Sequence, residues 1–501
     1  MTGSDPERQS GPWTRADWLL AAALFAGTFL SRIPFRTSLL YAWDSVLYTR
    51  ALEDFNAAEQ RPHPPGHIFY VGLVKLVNTV IGDPNAALVW VSVFFAAAAA
   101  AAFYWLGRAM LGRPVGLLAA LLLASSMSFW AYSEVAYPYT LMAFLSIVAA
   151  GLIYRTWEGR AAYVLPAALV LALAAGFRQE LLLFLLPILI AGLWGMPRLR
   201  VLGAAILLVL GTAAWYVPAA LLSGGFAVYR EAASRQSSYV IDSASVFGRG
   251  LEALWSNSYT FARFMLLALT AAVAPLAFFL FYLAGRRQRW LRRDRRLLFL
   301  SLWALPAVIF FVFVHVGEFG YVFSLLPPVL LAAAWGTAFL ARAIAERSQG
   351  DRPRRKIFAA LAAALIAVNI ALFLVPGLPF SANRLAGRDN ILGARLEAIR
   401  KNFDPETTLI VTVFDYQQVS YYLPQYRSWN FDPALDSHPV TTVPGNIRQV
   451  VIFEEYVKPR DPGSWEQLTL PYGQVMYYSS PEGRRFINAN WEKQEVSLEG
   501  I

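Results

Sequence analysis

Long apolar runs, broken at intervals by arginine, recur along most of this chain and leave it few ways to fold. They fall at 18–35, 86–106, 115–131, 137–154, 161–176, 181–195, 200–222, 261–284, 297–315, 320–341 and 357–376. About 20 apolar residues cross a bilayer as a helix, and a helix satisfies every backbone N–H and C=O within one segment. Several of these runs are shorter than that, so their ends are expected to extend into the flanking loops. The chain is 57% hydrophobic and 15% charged over 501 residues, too apolar for a soluble protein of this length. The expected fold is mainly α: a polytopic membrane protein with about eleven transmembrane helices.

The net charge of +10 is mostly arginine between the spans. It reads as a positive-inside bias, not as a nucleic-acid footprint, and no nucleic-acid partner is expected. The clusters are Arg108/Arg113, Arg155/Arg160, Arg198/Arg200, the run from Arg286 to Arg296, and the run from Arg342 to Lys356. They share one side with the N-terminus only if segment 67–82, which carries Lys75 and Asn78, lies on the membrane instead of crossing it. Against this, Arg32, Arg36, Arg50 and Arg61 then lie outside, partly balanced by Asp44, Glu53, Asp54 and Glu59. The N-terminus is expected in the cytoplasm of a cell with this protein in its inner (plasma) membrane. The first span reads as a retained anchor, because no small-residue cleavage site follows it. The chain has no cysteine, which excludes disulfides, thiolate metal sites and thiol nucleophiles.

Three regions then face outward: loop 36–85, loop 223–260, and everything after Pro376. The composition changes sharply there, so residues 1–376 read as a transmembrane domain and 377–501 as a small extracytoplasmic α/β domain. Within the latter, 391–402 reads as a helix and 408–414 as a β-branched strand. Segment 416–423 suits a helix and 449–453 a second strand. The alanine run 96–102 marks at most a close-packing helix surface.

The outward regions hold the candidate chemistry. Asp44 follows Tyr41 and Trp43 just beyond the first span. It is open to two readings, an interfacial anchor or helix cap, and a general base partly desolvated at the membrane edge. His63-Pro64-Pro65-Gly66-His67 is a rigid turn, with prolines fixing the backbone and Gly66 permitting the reversal. Two histidines four apart bind metal on a helix, but the prolines between them argue against it. A divalent metal stays an alternative there, and no essential cofactor or metal is expected. Glu134, in the run from Trp130 to Tyr139 that includes Tyr137, is either a solvated loop acid or a second acid that orients an acceptor or a metal. Arg178, two residues before Glu180, either marks a loop between short helices or holds a phosphate, which suits guanidinium geometry. Arg230 and Arg235, in loop 223–260, are further phosphate candidates. His315 and Tyr321, ahead of Leu326-Pro327-Pro328, either contact a lipid phosphate or pack in the core.

In order and common sidedness these residues resemble the GT-C-fold glycosyltransferases that use polyprenyl-phosphate sugars, the protein O-mannosyltransferases and bacterial family-39-like enzymes among them. The likeness is carried by Asp44, by His63-Pro64-Pro65, by Ser133-Glu134 with Tyr137-Pro138-Tyr139, and by Gly320-Tyr321 with Pro327. It covers roughly residues 17–345. Two positions depart from the pattern. Ser45 stands where the mannosyltransferases have a second acid, and Gly320 where the late hairpin often has arginine. The resemblance implies a hexosyl or pentosyl transferase with a polyprenyl-phosphate-linked donor and a hydroxyl acceptor on a protein, glycan or lipid. Asp44 would be the general base of an inverting transfer. A lipid-linked-sugar or solute transporter is the alternative. It predicts ionisable residues near mid-span and paired halves, whereas charge here gathers at span ends and no internal repeat is visible.

Overall fold

The computed structural model describes residues 13–285, 294–347, 354–431, 440–488 and 495–500. Stretches 286–293 and 348–353, parts of two expected arginine clusters, lie outside the described residues. Among the described residues, eight helical stretches are long and apolar enough to cross a membrane. They are Arg15–Phe35, Pro84–Leu111, Tyr139–Trp157, Arg198–Leu222, Val246–Ala284, Arg295–Phe313, Leu326–Arg347 and Arg354–Leu374. Shorter apolar helices, Arg113–Ser125, Ala161–Phe177 and Glu180–Gly192, occupy the other three expected spans, and Ile68–Ile81 is the segment of doubtful status. The protein is a mainly helical, multi-pass membrane protein.

Local chemistry sets where these helices begin. Thr14 and Asp17 form a reciprocal capping box at the first span. Asp83 accepts the Ala86 N–H at 2.6 Å, with Pro84 at the first helical position of the next. The alanine run does form a packing surface: Ala96, Ala97, Ala99 and Ala100 are all fully buried. Polar side chains stitch the helices where lipid offers no partner. Asn369, fully buried, accepts from Thr270 Oγ1 at 2.6 Å and the Ala271 N–H at 3.0 Å, and donates to Ser125 Oγ at 3.2 Å.

Two expectations change. The run 115–131 is not one helix: it breaks at Ser126, between Arg113–Ser125 and Met127–Tyr132. Ser126 Oγ donates to the Ala268 carbonyl at 2.7 Å, so a neighbouring helix takes up the break. The expected loop 223–260 is helical, as Phe226–Ala244 followed by a helix from Val246. Its polar sequence hides a narrow apolar stripe, of which Tyr229 and Ala232 are buried.

By packing, the chain forms two units, Met1–Arg36 with Arg50–Arg384, and Thr37–Thr49 with Leu385–Ile501. The second is the α/β part. Strands β1 (Thr408–Thr412), β2 (Arg427–Asn430), β4 (Gln449–Ile452), β6 (Glu466–Thr469) and β7 (Val475–Ser479) form one sheet in the order β2-β1-β4-β7-β6. Strands β3 (Val440–Val443), β5 (Val457–Pro459), β8 (Arg485–Asn488) and β9 (Glu495–Gly500) form another, in the order β3-β9-β8-β5. Strand β2 runs parallel to β1 after the crossover helix Tyr416–Tyr422, and β4 parallel on the other side. The sequence pattern anticipated β1, the helix and β4, but not β2, whose residues Arg-Ser-Trp-Asn carry no apolar run.

Alternation along β1 explains why its sheet is covered on both faces. Ile410 points into a core with Leu396 and Ile399 of the helix Ala382–Asn402 and Val419 of the crossover helix. Leu409 and Val411 point the other way, into a core shared with Phe486 and Leu498 of the second sheet.

Candidate active site

Asp44 is the second residue of the helix Trp43–Glu53 and is half-buried. It is not the cap. Ser45 Oγ takes the Ala42 N–H at 3.3 Å. The residue that departs from the two-acid pattern therefore serves the helix start.

The remaining candidates lie in the first unit. The turn 63–67 ends in His67, which opens the helix Ile68–Ile81 from a left-handed conformation, φ 45°. Gly66 is required twice over: its φ is +91°, and a Cβ there would sit 2.6 Å from the Phe55 ring. Tyr229 Oη donates to the Pro65 carbonyl at 2.9 Å, tying the helix Phe226–Ala244 to this turn. The His63 and His67 rings are 5.5 Å apart, edge to face. His67 Nδ1 lies 3.0 Å from the Phe177 carbonyl, so Nδ1 carries the proton and Nε2 is the acceptor. Burial pushes the His67 pKa well below its usual range; the neighbouring Arg178 and His63 push the same way, against the Phe177 hydrogen bond. The ring is neutral at physiological pH.

Arg178 ends the preceding helix. Its extended backbone, φ −152°, breaks the run between Val164–Phe177 and Glu180–Gly192. Its side chain is only 3% exposed. The guanidinium carbon lies 5.3 Å from the Tyr139 ring centre and 4.9 Å from that of Tyr321, and Nη2 is 3.2 Å from Glu180 Oε1. Both ring contacts fall within cation–π range. Tyr321 comes from the 3₁₀ turn Phe319–Ser324, and its ring is 5.9 Å from that of Tyr139. Gly320 lies directly against Tyr139: a Cβ would meet the ring at 2.2 Å. An arginine at this position would displace the tyrosine that Arg178 packs on, which accounts for the departure at Gly320. Tyr137 continues the aromatic wall 5.0 Å from Tyr139, and Tyr132 stacks on Tyr137 while donating to Glu318 Oε1 at 2.5 Å. His315 is 6.1 Å from Tyr321; burial lowers its pKa, partly opposed by Glu180.

Glu134 belongs to a different cluster and is not a solvated loop acid. It is fully buried and faces the charge of Arg32. Arg32, 2% exposed, donates to Ser133 Oγ at 3.1 Å, Ser31 Oγ at 2.8 Å and the Ala124 carbonyl, beneath the Trp130 ring at 4.2 Å. Burial raises the Glu134 pKa well above the carboxylate range, opposed by Arg32. Arg230 and Arg235 stand exposed on Phe226–Ala244, with Arg235 paired to Glu231 at 3.5 Å.

The structure thus gathers His63, His67, Tyr137, Tyr139, Arg178, His315 and Tyr321, and leaves Glu134, Arg230 and Arg235 elsewhere. Sequence reasoning missed Tyr132, Glu180 and Glu318 as members of this cluster, and Arg32 as the partner of Glu134. A charge within the first span was the available signal for Arg32. Among the described residues, no three His, Asp or Glu side chains converge as a metal would require.

No family model matches the chain, and no curated protein matches it in sequence. The likeness is to solved structures. ArnT from Cupriavidus metallidurans bound to undecaprenyl phosphate superposes with a TM-score of 0.59 at 12% identity, over 93% of this chain and 98% of that one. Its apo state gives 0.57 at 12% identity over the same shares. The chain therefore has the GT-C fold that the sequence resemblance implied.

Proposed function

We propose that this protein is an integral membrane glycosyltransferase that moves a sugar from a polyprenyl-phosphate donor to an acceptor hydroxyl on the outer side of the membrane. The observation that carries this is the end-to-end likeness to a protein solved with a polyprenyl phosphate, which takes in the α/β unit as well as the helices. In this reading the N-terminus is cytoplasmic and the second unit is extracytoplasmic.

Asp44 removes the acceptor proton, and the acceptor oxygen attacks the anomeric carbon from the face opposite the phosphate. The sugar–phosphate bond breaks with its electron pair on the phosphate, and the configuration inverts. Polyprenyl phosphate leaves with the charge. Arg178 is the residue we assign to that phosphate: it is a buried guanidinium on two aromatic faces, paired with Glu180, and its planar set of N–H donors suits a phosphate. Tyr137, Tyr139 and neutral His67 offer hydrogen-bonding groups to sugar or acceptor hydroxyls, with His63, His315 and Tyr321 beside them.

The test is transfer by the purified protein. A panel of radiolabelled polyprenyl-phosphate sugars is supplied with acceptor fractions from membranes, and both the glycoside and the released polyprenyl phosphate are measured. Stoichiometric appearance of the two supports transfer. Movement of intact donor across a vesicle bilayer, with no glycoside formed, would mark a transporter instead.

A further inference from the structure

Segment Thr37–Thr49, which carries Asp44, packs with the α/β unit although some 340 residues separate the two in sequence. The grip is on its main chain. The Asp389 carboxylate accepts the Ser38 N–H at 2.8 Å, Ser38 Oγ at 2.6 Å and the Leu39 N–H at 2.9 Å. The Leu40 N–H donates to Tyr422 Oη at 2.9 Å, and Leu40 itself is fully buried. Arg388 Nε donates to the Tyr41 carbonyl at 2.9 Å while its guanidinium lies over the Tyr41 ring at 5.3 Å. Arg388 is in turn paired to Asp415 at 3.0 Å. Trp43 packs on Tyr416, with ring centres 6.1 Å apart. Four consecutive residues, 38 to 41, are thus held by backbone groups immediately before the helix turn that presents Asp44.

We infer that Arg388 and Asp389 are positioning residues for Asp44. Adjacent on the helix Ala382–Asn402, they project in different directions and hold the segment at two points. Charge-assisted bonds to three donors and one carbonyl are stronger and more directional than neutral ones. A surface loop has no need of such a grip. A loop that aims a base does, since an error of about 1 Å can cost 10²-fold in rate. Because all but the Ser38 hydroxyl bond are to main chain, the sequence of 38–41 shows no motif for them. The inference rests on Asp44 being the base of the proposed transfer.

The full-length purified protein tests it with three measurements. Asp389→Ala should lower kcat by about 10- to 100-fold while donor KM stays within about twofold. Hydrogen exchange at Ser38, Leu39 and Leu40 should quicken in the same variant. The third is rescue by the conservative variant: Asp389→Asn keeps one acceptor oxygen for the Ser38 and Leu39 N–H groups, so its kcat should lie between those of Asp389→Ala and the wild type, with exchange slowed in step. Arg388→Ala should act in the same direction as Asp389→Ala. Faster exchange with wild-type kcat would overturn the positioning role alone. Loss of kcat with exchange at 38–40 unchanged would show that Asp389 supports the unit and does not aim Asp44, and would also overturn it. If the wild type transfers no sugar, or Asp44→Asn keeps its turnover, the functional reading falls, and with it the role of the clamp in transfer; exchange would still report whether the clamp exists.

Discussion

Asp17 and Arg178 are both buried charges among apolar helices, and they are held in opposite ways. Asp17, with no exposed surface, accepts Tyr104 Oη at 2.7 Å, Arg108 Nε at 2.9 Å and Arg113 Nε at 2.9 Å on one oxygen. Its other oxygen takes the Thr14 N–H and hydroxyl, both at 2.8 Å. This ties the first span to Pro84–Leu111 and Arg113–Ser125. Arg178 lies over two tyrosine rings and is paired with Glu180 at 3.2 Å. Opposite charges and hydrogen bonds neutralise Asp17 where it stands, and its charge serves to hold helices together. Arg178 is paired with one carboxylate, where Asp17 faces two arginines, and it packs on aromatic faces, which hold a guanidinium without cancelling its charge. Buried charge alone therefore does not mark a site; what surrounds it does.

Isosteric replacement of acids with different duties is the strongest way to break this distinction. Asp44→Asn should fold and bind donor normally but lose about 10²- to 10⁴-fold in transfer rate, the usual weight of a general base. Rate and donor binding measured on one preparation decide it; a variant that does not fold makes Asp44 structural. Asp17→Asn should do the reverse. It removes the carboxylate charge that faces Arg108 and Arg113 and should destabilise the helical unit by about 3 kcal/mol, the lower end for a broken buried pair because Arg113 is half exposed. Thermal unfolding in detergent reads the loss, while transfer per folded molecule stays near normal.

An effect of similar size is expected in the α/β unit, from an acid held the wrong way for its charge. Glu454, 2% exposed, accepts from Thr412 Oγ1 at 2.9 Å and from the Val413 N–H. Burial, with the charge of Asp415 adding to it, pushes its pKa up to about 7 from an ordinary 4.5. A raised carboxyl pKa means the fold favours the protonated form. That contribution is complete below about pH 4.5 and is lost as the pH climbs towards 7, on the order of 3 kcal/mol in all. Stability of the wild type should therefore fall between pH 5 and pH 8 relative to Glu454→Gln. Melting curves across that window, showing equal slopes for the two proteins, would refute it.

The smallest effect sharpens the assignment of Arg178. Arg178→Lys keeps the charge but loses the planar fork and its fit to the tyrosine faces. Donor affinity should drop by about 1.5–3 kcal/mol, the range for a hydrogen bond to a charged group. Unchanged affinity would move the phosphate to Arg230 or Arg235, the exposed alternatives on Phe226–Ala244.

By itself the sequence determined the helical spans and the presence of a small α/β part. Apolar length and β-branched runs are local signals, and in lipid the backbone has little choice. It also marked His63, His67, Tyr137, Tyr139, Arg178, His315 and Tyr321 of the aromatic cluster, though not Tyr132, because polar and aromatic groups at span ends stand out against so apolar a background. Strand β2 escaped notice, since four polar-to-mixed residues become a strand only when β1 offers its edge. Loop 223–260 read as loop because its buried stripe is narrow. Tertiary structure alone decided which charges meet. Arg32 and Glu134 are 102 positions apart, Tyr132 and Glu318 186 apart, and no periodicity links them. It alone decided that the segment bearing Asp44 belongs with the C-terminal unit. That attachment is made largely through amides and a carbonyl of residues 38–41, groups that every residue carries, and the side chains that add to it, Ser38, Leu40, Tyr41 and Trp43, form no pattern that names their distant partners.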